Sequence, residues 1–239
     1  MATLEPSLAG LSQQQRHQLD LFAEVLRAQN RRHNLVSAGD IEALYPRHFA
    51  DCLAAVPVVE SGDTVRAGGR LVDIGSGAGL PAVVLAIALP TWQVASIEAT
   101  GKKGRFQEEA VRAIGLGNVT IVHGRAEELG RQAAYREGFD VAVARAVAEL
   151  RVLVEIAMPL LRVGGRLVAF KGPDPAQEIA EAAGTLEGLG ARLVRTVPYR
   201  LAGLAPQPPE FHLVIVEKTA PTDDTYPRPW QRITKSPPA

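Results

Sequence analysis

The sequence predicts an α/β fold with a mostly parallel, seven-stranded sheet that ends in an antiparallel hairpin and follows an N-terminal helical extension. Three observations predict this fold. From residue 70 onward, short apolar runs alternate with runs of helical periodicity, which is typical of βαβ units. A glycine-rich turn joins the first strand to the first of these helices. The last two strand-like runs have no helix between them, so the last strand is expected to enter antiparallel.

The helical extension is expected to occupy residues 1–60. Ser12 and Gln15 form a capping-box pattern, and apolar residues follow at helical spacing. Residues 12–28 are therefore expected to form an amphipathic helix. Asp40 is expected to cap a second helix, whose stripe is Ile41, Leu44, Tyr45 and His48.

The sheet domain is expected at residues 61–219, after a linker at 60–69 with turn signals such as Ser61-Gly62-Asp63. Its predicted strands are 71–74, 94–97, 119–122, 141–144, 167–170, 193–197 and 213–216. Its predicted helices are 80–88, 102–114, 149–161 and 176–189.

The end of the chain breaks this alternation. The segment between the last two strands contains Pro206-Gln207-Pro208-Pro209, which favours a turn over a helix. The tail at 220–239 has five prolines and no apolar period from Pro221 onward. We expect it to run over the surface or to be disordered.

The composition excludes several classes of protein. Of the 239 residues, 46% are hydrophobic and 22% charged, which is ordinary for a globular protein with a sizeable core. The net charge of zero gives no overall attraction to nucleic acid. A single cysteine excludes an intrachain disulfide and a cysteine zinc cluster, and the histidines lack metal-ligand spacing. We therefore expect no bound metal. The apolar run at 80–89 is too short to span a bilayer, and no signal peptide is visible, so we expect a cytoplasmic protein without membrane attachment.

The first strand runs into the loop Asp73-Ile74-Gly75-Ser76-Gly77-Ala78-Gly79, at the sheet edge where α/β proteins bind ligands. Gly75, Gly77 and Gly79 let a ligand approach the backbone. A dinucleotide fingerprint would place its third glycine at position 80, which is Leu80 here. The preceding acid would repel a pyrophosphate but suits the cationic groups of S-adenosylmethionine (AdoMet). The loop therefore predicts an AdoMet site, with a tight turn without ligand as the alternative.

Two further strand ends complete the expected cofactor site. Glu98 ends the second strand, where a carboxylate can accept both ribose hydroxyls, unless it is only a solvated acid. After the third strand, Ala126 and Glu127 could hold the adenine edge through a backbone N–H and an acidic side chain. The alternative is that they start a short helix, in whose first turn acids are favourable.

The fourth strand end, Ala144-Arg145-Ala146, bears on the methyl acceptor. It lacks the Asn/Asp-Pro-Pro-aromatic motif that is usual in exocyclic-amine methyltransferases. Methylation of a pyrimidine C5 usually needs a cysteine nucleophile, and Cys52 is expected to be packed in a helix. A ring nitrogen such as guanine N7 carries no proton and needs no general base, so positioning alone can supply most of the acceleration. No catalytic residue is assigned.

The sequence resembles the RsmG (GidB) family of bacterial 16S rRNA methyltransferases from about residue 18 to 218. The resemblance is carried by Asn34-Leu35-Val36, His48 to Asp51, Asp73 to Pro81, Lys102-Lys103, Ala144-Arg145-Ala146, Lys171-Gly172 and His212-Leu213-Val214-Ile215.

That resemblance implies a Rossmann-like AdoMet-dependent methyltransferase fold and methylation of N7 of one guanine, at position 527 in the 530 loop of 16S rRNA. It implies 16S rRNA or the 30S subunit as partner of an expected monomer. By matching position, the residues implied to contact AdoMet are Gly75, Leu80, Glu98, Ala126, Glu127 and Arg145, the last of which could also reach the RNA.

A ring of basic residues is the expected RNA face. Lys102, Lys103, Arg125 and Lys171 surround the strand ends, and Arg32 and His48 would form a rim on the extension, with a solvated helix end as the alternative. The chain departs from the family at Val36, Cys52, Ala82 and Phe211, where Thr, Ser, Gly and Arg are usual. The change at Phe211 weakens any RNA role for that position.

Three other functions share some of these features. A small-molecule AdoMet methyltransferase would have the same cofactor site. A nicotinamide-dependent oxidoreductase is disfavoured by Leu80 at the third-glycine position. A non-catalytic binding factor on a retained fold is disfavoured by the complete set of cofactor residues.

Overall fold

The structure, a computed structural model, describes residue 6 and residues 8–61, 68–202 and 209–236. The predicted turns at Gly62-Asp63 and at Pro206 to Pro208 lie outside these residues. In the described part of the chain, no helix is both long and apolar enough to cross a membrane. In the same part, no three histidine, cysteine or acidic side chains are grouped as metal ligands.

A seven-stranded sheet forms the centre of the molecule, with strand order β3-β2-β1-β4-β5-β7-β6. Strands β1 to β5 pair in parallel, and β7 pairs antiparallel with both β5 and β6. The predicted mostly parallel sheet with a final hairpin is thereby confirmed. The strands are β1 (Arg70–Ile74), β2 (Gln93–Glu98), β3 (Val119–His123), β4 (Phe139–Arg145), β5 (Leu161–Lys171), β6 (Ala191–Arg200) and β7 (Glu210–Lys218).

Helices cover both faces of this sheet. Side chains of a strand alternate between faces, so Val72 and Ile74 of β1 lie in one core cluster and Leu71 in another. Burial on both faces explains why the strands read as continuous apolar runs. The helices are α1 (Gln13–His33), α2 (Ala38–Glu42), α3 (Ala50–Leu53), α4 (Val56–Glu60), α5 (Ala82–Ala88), α6 (Gly101–Ile114), α7 (Ala126–Leu129), α8 (Leu150–Ala157), α9 (Ala176–Glu181), α10 (Ala183–Gly188) and α11 (Trp230–Ile233), with a 3-10 turn at Leu8–Gly10 and a π-helix at Leu44–Phe49.

Helix α1 begins with the predicted capping box but extends further than expected. The Ser12 side chain accepts from the Gln15 backbone N–H, and the Gln15 side chain accepts from the Ser12 N–H. The helix continues to His33 and is ended by Asn34 in the left-handed conformation, with φ of 47°. Arg32 therefore lies in the last helical turn and not in a connection between helices, which corrects the expected end at residue 28. A cation is favourable there for the helix dipole.

The second predicted helix is divided into three pieces. Asp40 lies inside α2 and is not its N-cap, which corrects the expectation. The π-helix that follows contains Pro46, which has no N–H to donate to the preceding turn and so interrupts the α-helical pattern. The predicted stripe is still partly recovered, because Leu44 and His48 are buried.

Two predicted helices of the sheet domain also differ from the structure. The helix predicted at 149–161 ends at Ala157, because Leu161 already belongs to β5. The helix predicted at 176–189 is broken at Ala182. Apolar periodicity did not locate these ends, since an apolar residue fits a buried helix and a buried strand equally well.

The C-terminal tail packs against the sheet domain. Arg136 donates to the backbone carbonyls of Thr222, Asp223 and Tyr226, and the tail contains the short helix α11, whose Ile233 is buried. Of the two alternatives for the tail, disorder is therefore wrong for residues 221–236. These residues run over the surface of the sheet domain and pack against it.

Gln15 links the extension to the sheet domain, and its replacement is expected to destabilise the protein. Its Nε2 donates to the carbonyls of Ile87 and Ala88 at 2.9 and 3.1 Å, at the end of α5. Gln15→Ala removes these bonds and half of the capping box, so we expect a loss of about 1–2 kcal/mol in urea unfolding. The exposed neighbour in Gln14→Ala is the matched control, and equal stability of the two variants would contradict the assignment.

Candidate cofactor site

The glycine loop joins β1 to α5 through a tight turn. Gly75, Gly77 and Gly79 all have positive φ, at 72°, 58° and 82°. The backbone N–H groups of Gly75 and Ser76 donate to the carbonyl of Ile97 on β2, at 3.0 and 3.1 Å. The loop is thus held against the carboxyl end of the neighbouring strand.

The three glycines differ in how much room the protein leaves beside them. A Cβ on Gly79 would lie 2.6 Å from Val83 Cγ2, and one on Gly75 would lie 3.1 Å from Val147 Cγ2. A Cβ on Gly77 would meet no described atom within 4 Å. Val83 leaves no room for a side chain at Gly79, Val147 leaves little at Gly75, and Gly77 faces open space.

Asp73 lies beneath the loop and is completely buried. Its Oδ2 accepts from the Ala82 N–H at 2.9 Å, while its Oδ1 accepts a hydrogen bond from no residue that the structure describes. Burial raises the pKa of this carboxyl to about 8, although the Ala82 N–H and the positive charge of Arg145 oppose the shift. A buried acceptor without a donor is costly, so this atom suits a cationic ligand group.

A buried polar network supports the loop from below. Gln107 of α6 donates through Nε2 to the Gly77 carbonyl at 2.8 Å and to Ser76 Oγ at 3.0 Å. Its Oε1 accepts from Ser96 Oγ, which also bonds Ser76 Oγ. Neither Ser96 nor Gln107 was predicted from the sequence to belong to the site. The sequence feature that could have revealed them is that each is a polar residue at a core-facing position, Ser96 in a strand and Gln107 in a helix.

Glu98 is placed where it was expected, at the end of β2, and it is buried. Its Oε2 accepts from the Gly77 N–H at 2.8 Å and its Oε1 from the Thr100 N–H at 2.6 Å. Each oxygen of a carboxylate can accept more than one bond, so these contacts leave acceptor capacity for ribose hydroxyls.

An apolar pocket opens beside the loop at the carboxyl ends of the central strands. Glu127 and Arg125 form its polar side, with Arg125 Nε 2.5 Å from Glu127 Oε1. Ala126 and Glu127 start α7, so the helix-start alternative is also realised. The pocket is lined by Ile74, Gly75, Ile97, Ala99, Gly124, Arg125, Ala126, Glu127, Val147, Ile156 and Trp230.

A larger cleft, between α1 and the start of β3, is lined in part by Gln14, Gln18 and Asn118. It lies at the amino ends of the strands, away from the glycine loop. Because α/β sheets bind ligands at the carboxyl ends, the smaller apolar pocket is the candidate site.

Arg145 connects β4 to the helical extension. Its Nε donates to Asp51 Oδ2 at 2.5 Å, and its Nη2 lies 2.7 Å from His48 Nδ1. Tyr199 of β6 donates to the other Asp51 oxygen at 2.5 Å. The side chains of Arg145 and Asp51 are only 15% and 13% exposed, so this is a largely buried ion pair. An AdoMet contact by Arg145 stays a prediction.

The basic residues predicted to meet RNA fall into two groups. Arg32, Lys102 and Arg125 are exposed, and Lys103 is half-buried. His48 is buried against Arg145. The Lys171 ammonium lies 2.5 Å from Glu178 Oε1 and also donates to the Ala148 carbonyl, with its side chain 8% exposed. These contacts give Lys171 a structural role, and the geometry offers no support for a phosphate contact there.

Comparison with known proteins decides the family. The profile described as rRNA small subunit methyltransferase G matches residues 15–199. This chain belongs to that family. The family assignment confirms the resemblance found in the sequence and sets the oxidoreductase alternative aside.

Relatives in the rRNA small subunit methyltransferase G family cover nearly the whole chain. The protein of that name from Chloroflexus aggregans is 44% identical over 218 residues, which is 91% of this chain and 88% of the relative. The one from Rubrobacter xylanophilus is 43% identical over 220 residues, covering 89% and 81%. The chain is accordingly a methyltransferase of this family.

Solved structures of lower identity confirm the methyltransferase fold. M. jannaschii TYW2 in complex with AdoMet matches with a TM-score of 0.52 and 17% identity, covering 76% of each chain. TrmN from Thermus thermophilus matches with a TM-score of 0.54 and 21% identity, covering 71% of this chain and 48% of that one. At such identities the likeness concerns the fold alone.

Proposed function

We propose that this methyltransferase uses AdoMet to methylate N7 of one guanine in the 530 loop of 16S rRNA, by direct in-line transfer without a covalent enzyme intermediate. The observation that carries the cofactor part is the unpaired, buried Oδ1 of Asp73 beneath the glycine loop. The guanine and its position rest on family membership.

The residues at the loop fit AdoMet in three respects. Asp73 provides an acceptor for a cationic group, Gly77 faces open space, and Glu98 retains acceptor capacity for the ribose. The apolar pocket beyond Gly75 fits the adenine, with Ala126 and Glu127 at its polar edge. Bound AdoMet would supply an electrophilic methyl group.

The chain's part in the transfer is positioning. Guanine N7 offers an in-plane lone pair without a proton, so no general base has to act first. Holding the two reactants in line can account for about 7–11 kcal/mol of the barrier in well-oriented systems. This agrees with a site in which we assign no catalytic residue.

The RNA is expected to meet the sheet edge around the cofactor. Arg32, Lys102 and Arg125 are exposed and Lys103 partly so, and phosphate contacts by such side chains would make binding strongly salt-dependent. We propose that the protein acts as a monomer in the cytoplasm, with 16S rRNA or the 30S subunit as its partner.

The test is a methyl-transfer assay with labelled AdoMet and two substrates, unmethylated 30S subunits and naked 16S rRNA. We expect label at N7 of the 530-loop guanine in at least one of them, and less label with the variant Asp73→Asn when AdoMet is below saturation. Absence of label from both RNAs would overturn the proposal. Label found only on small molecules of a cell extract would favour the small-molecule alternative.

A second prediction tests the absence of a covalent intermediate. Cys52 is completely buried, and burial raises the pKa of its thiol above the usual range, so it is not a nucleophile at neutral pH. We expect Cys52→Ala to keep its methyl-transfer rate within about twofold, at a stability cost of about 1 kcal/mol for the lost packing. The rate is read in single-turnover assays, and a loss of several orders of magnitude without unfolding would refute direct transfer.

A further inference from the structure

Trp230, in the C-terminal tail, lies on the wall of the apolar pocket beside the glycine loop. It belongs to α11, beyond residue 199 where the match to the family profile ends. Its ring shares the pocket with Gly75, Ala99 and Val147, which come from three different strand ends. A side chain far along the chain thus reaches the place assigned to the adenine.

The tail holds this tryptophan in place from both sides. Before it, the Arg228 guanidinium donates to both carboxylate oxygens of Glu155 of α8, Nε to Oε1 at 2.8 Å and Nη2 to Oε2 at 2.7 Å, and the Glu155 side chain is 1% exposed. After it, Ile233 is buried in the core, and Arg151 donates to the Ile233 carbonyl at 2.9 Å. The position of Trp230 is therefore set by contacts that are independent of any ligand.

The domain side of the pocket also engages the ring. The Arg125 guanidinium carbon lies 5.3 Å from the centre of the Trp230 ring, within the range of a cation–π contact. Arg125 in turn pairs with Glu127, on the polar edge of the pocket. The ring is half-buried, so part of its surface remains available to a ligand.

We propose that Trp230 is an adenine-contacting residue of the cofactor site, and that the tail segment 221–236 is a strap that completes this site. The inference rests on the proposed use of AdoMet. A large aromatic surface in a mainly apolar pocket is suited to a purine, because a π-face stacks on any flat aromatic base.

The test measures AdoMet binding by calorimetry in Trp230→Ala and Trp230→Phe. We expect about tenfold weaker binding for Trp230→Ala, since it loses one aromatic–base stacking contact, and near wild-type binding for Trp230→Phe. Gln231→Ala, on the next and exposed residue of α11, is the matched control and should bind normally. Unchanged or tighter binding by Trp230→Ala would overturn the inference.

Fluorescence gives a second readout that does not depend on a folded alanine variant. The chain has two tryptophans, and Trp92 is buried just before β2, at the opposite end of the sheet. In Trp92→Phe, emission therefore comes from Trp230 alone, and we expect it to change saturably with AdoMet. An unchanged emission while calorimetry records binding would overturn the role of Trp230, whereas absence of AdoMet binding by the wild-type protein would overturn the proposed function itself.

Discussion

Asp73→Asn is expected to weaken AdoMet binding by about tenfold or more while leaving the fold intact. The asparagine keeps an oxygen for the Ala82 N–H but cannot supply the negative charge that the unpaired Oδ1 offers to a cation. A hydrogen bond to a charged group contributes about 1.5–3 kcal/mol, which corresponds to roughly ten- to hundredfold in affinity. Calorimetric titration measures the effect, with the exposed Asp174→Asn as control.

The same carboxyl predicts a pH dependence. Because burial raises the pKa of Asp73 to about 8, the group is mostly protonated at pH 7 in the ligand-free protein and must lose its proton to pair with a cation. AdoMet affinity is therefore expected to rise between pH 6 and pH 8, and Asp73→Asn should remove that rise. A pH profile that is identical in both proteins would contradict this assignment.

The free energy of unfolding should fall as the pH rises, whereas the affinity for AdoMet should increase. The folded-state pKa of Asp73 lies above its unfolded value of 3.8, so the native state binds the extra proton. The stabilisation from this proton is complete below pH 4 and is lost as the pH rises through about 8. In urea unfolding without AdoMet, the stability of the wild-type protein relative to Asp73→Asn should decline across this range.

Asp51→Ala is expected to lower the free energy of unfolding by about 3–5 kcal/mol, more than any other substitution proposed above. It leaves the buried Arg145 guanidinium without its counter-charge. It also removes the acceptor of the Tyr199 hydroxyl. Urea unfolding measures the loss. Tyr199→Phe, which removes one bond and no charge, should cost only about 1–2 kcal/mol.

A double variant separates the two contributions to this loss. If the penalty arises from an unpaired buried charge, replacing both partners in Asp51→Ala with Arg145→Met should recover part of the stability lost in Asp51→Ala. Strictly additive losses would show instead that the two residues act independently. The cycle thus tests whether this pair joins the helical extension to the sheet domain.

Much of the fold could be predicted because its signals are local. Alternating apolar runs placed the strands, and Ser12 with Gln15 placed the start of α1. Helix ends were less predictable where the deciding feature is contact with another element, as at Leu161, or an interruption by Pro46.

At the cofactor site, too, residues with a local sequence pattern could be predicted, and residues that act through contacts with distant segments could not. The loop and Glu98 are recognisable because their residue types are needed at fixed spacing after a strand. Ser96 and Gln107, which hold the loop, and Asp51, which holds Arg145, gave no local signal that they act together.

The linear sequence alone determined the α/β fold, its closing hairpin, the glycine loop and the resemblance to the family, since each depends on residues close in the chain or on motif order. Only the tertiary structure decided that Asp73 is buried with an unpaired oxygen, that His48 and Lys171 are engaged within the protein, and that Trp230 reaches the pocket. Burial and pairing are properties of residues brought together from distant segments, often more than fifty positions apart, as when Arg145 meets Asp51 across 94 positions. The charges and contacts that decide such a site exist only after the chain has folded.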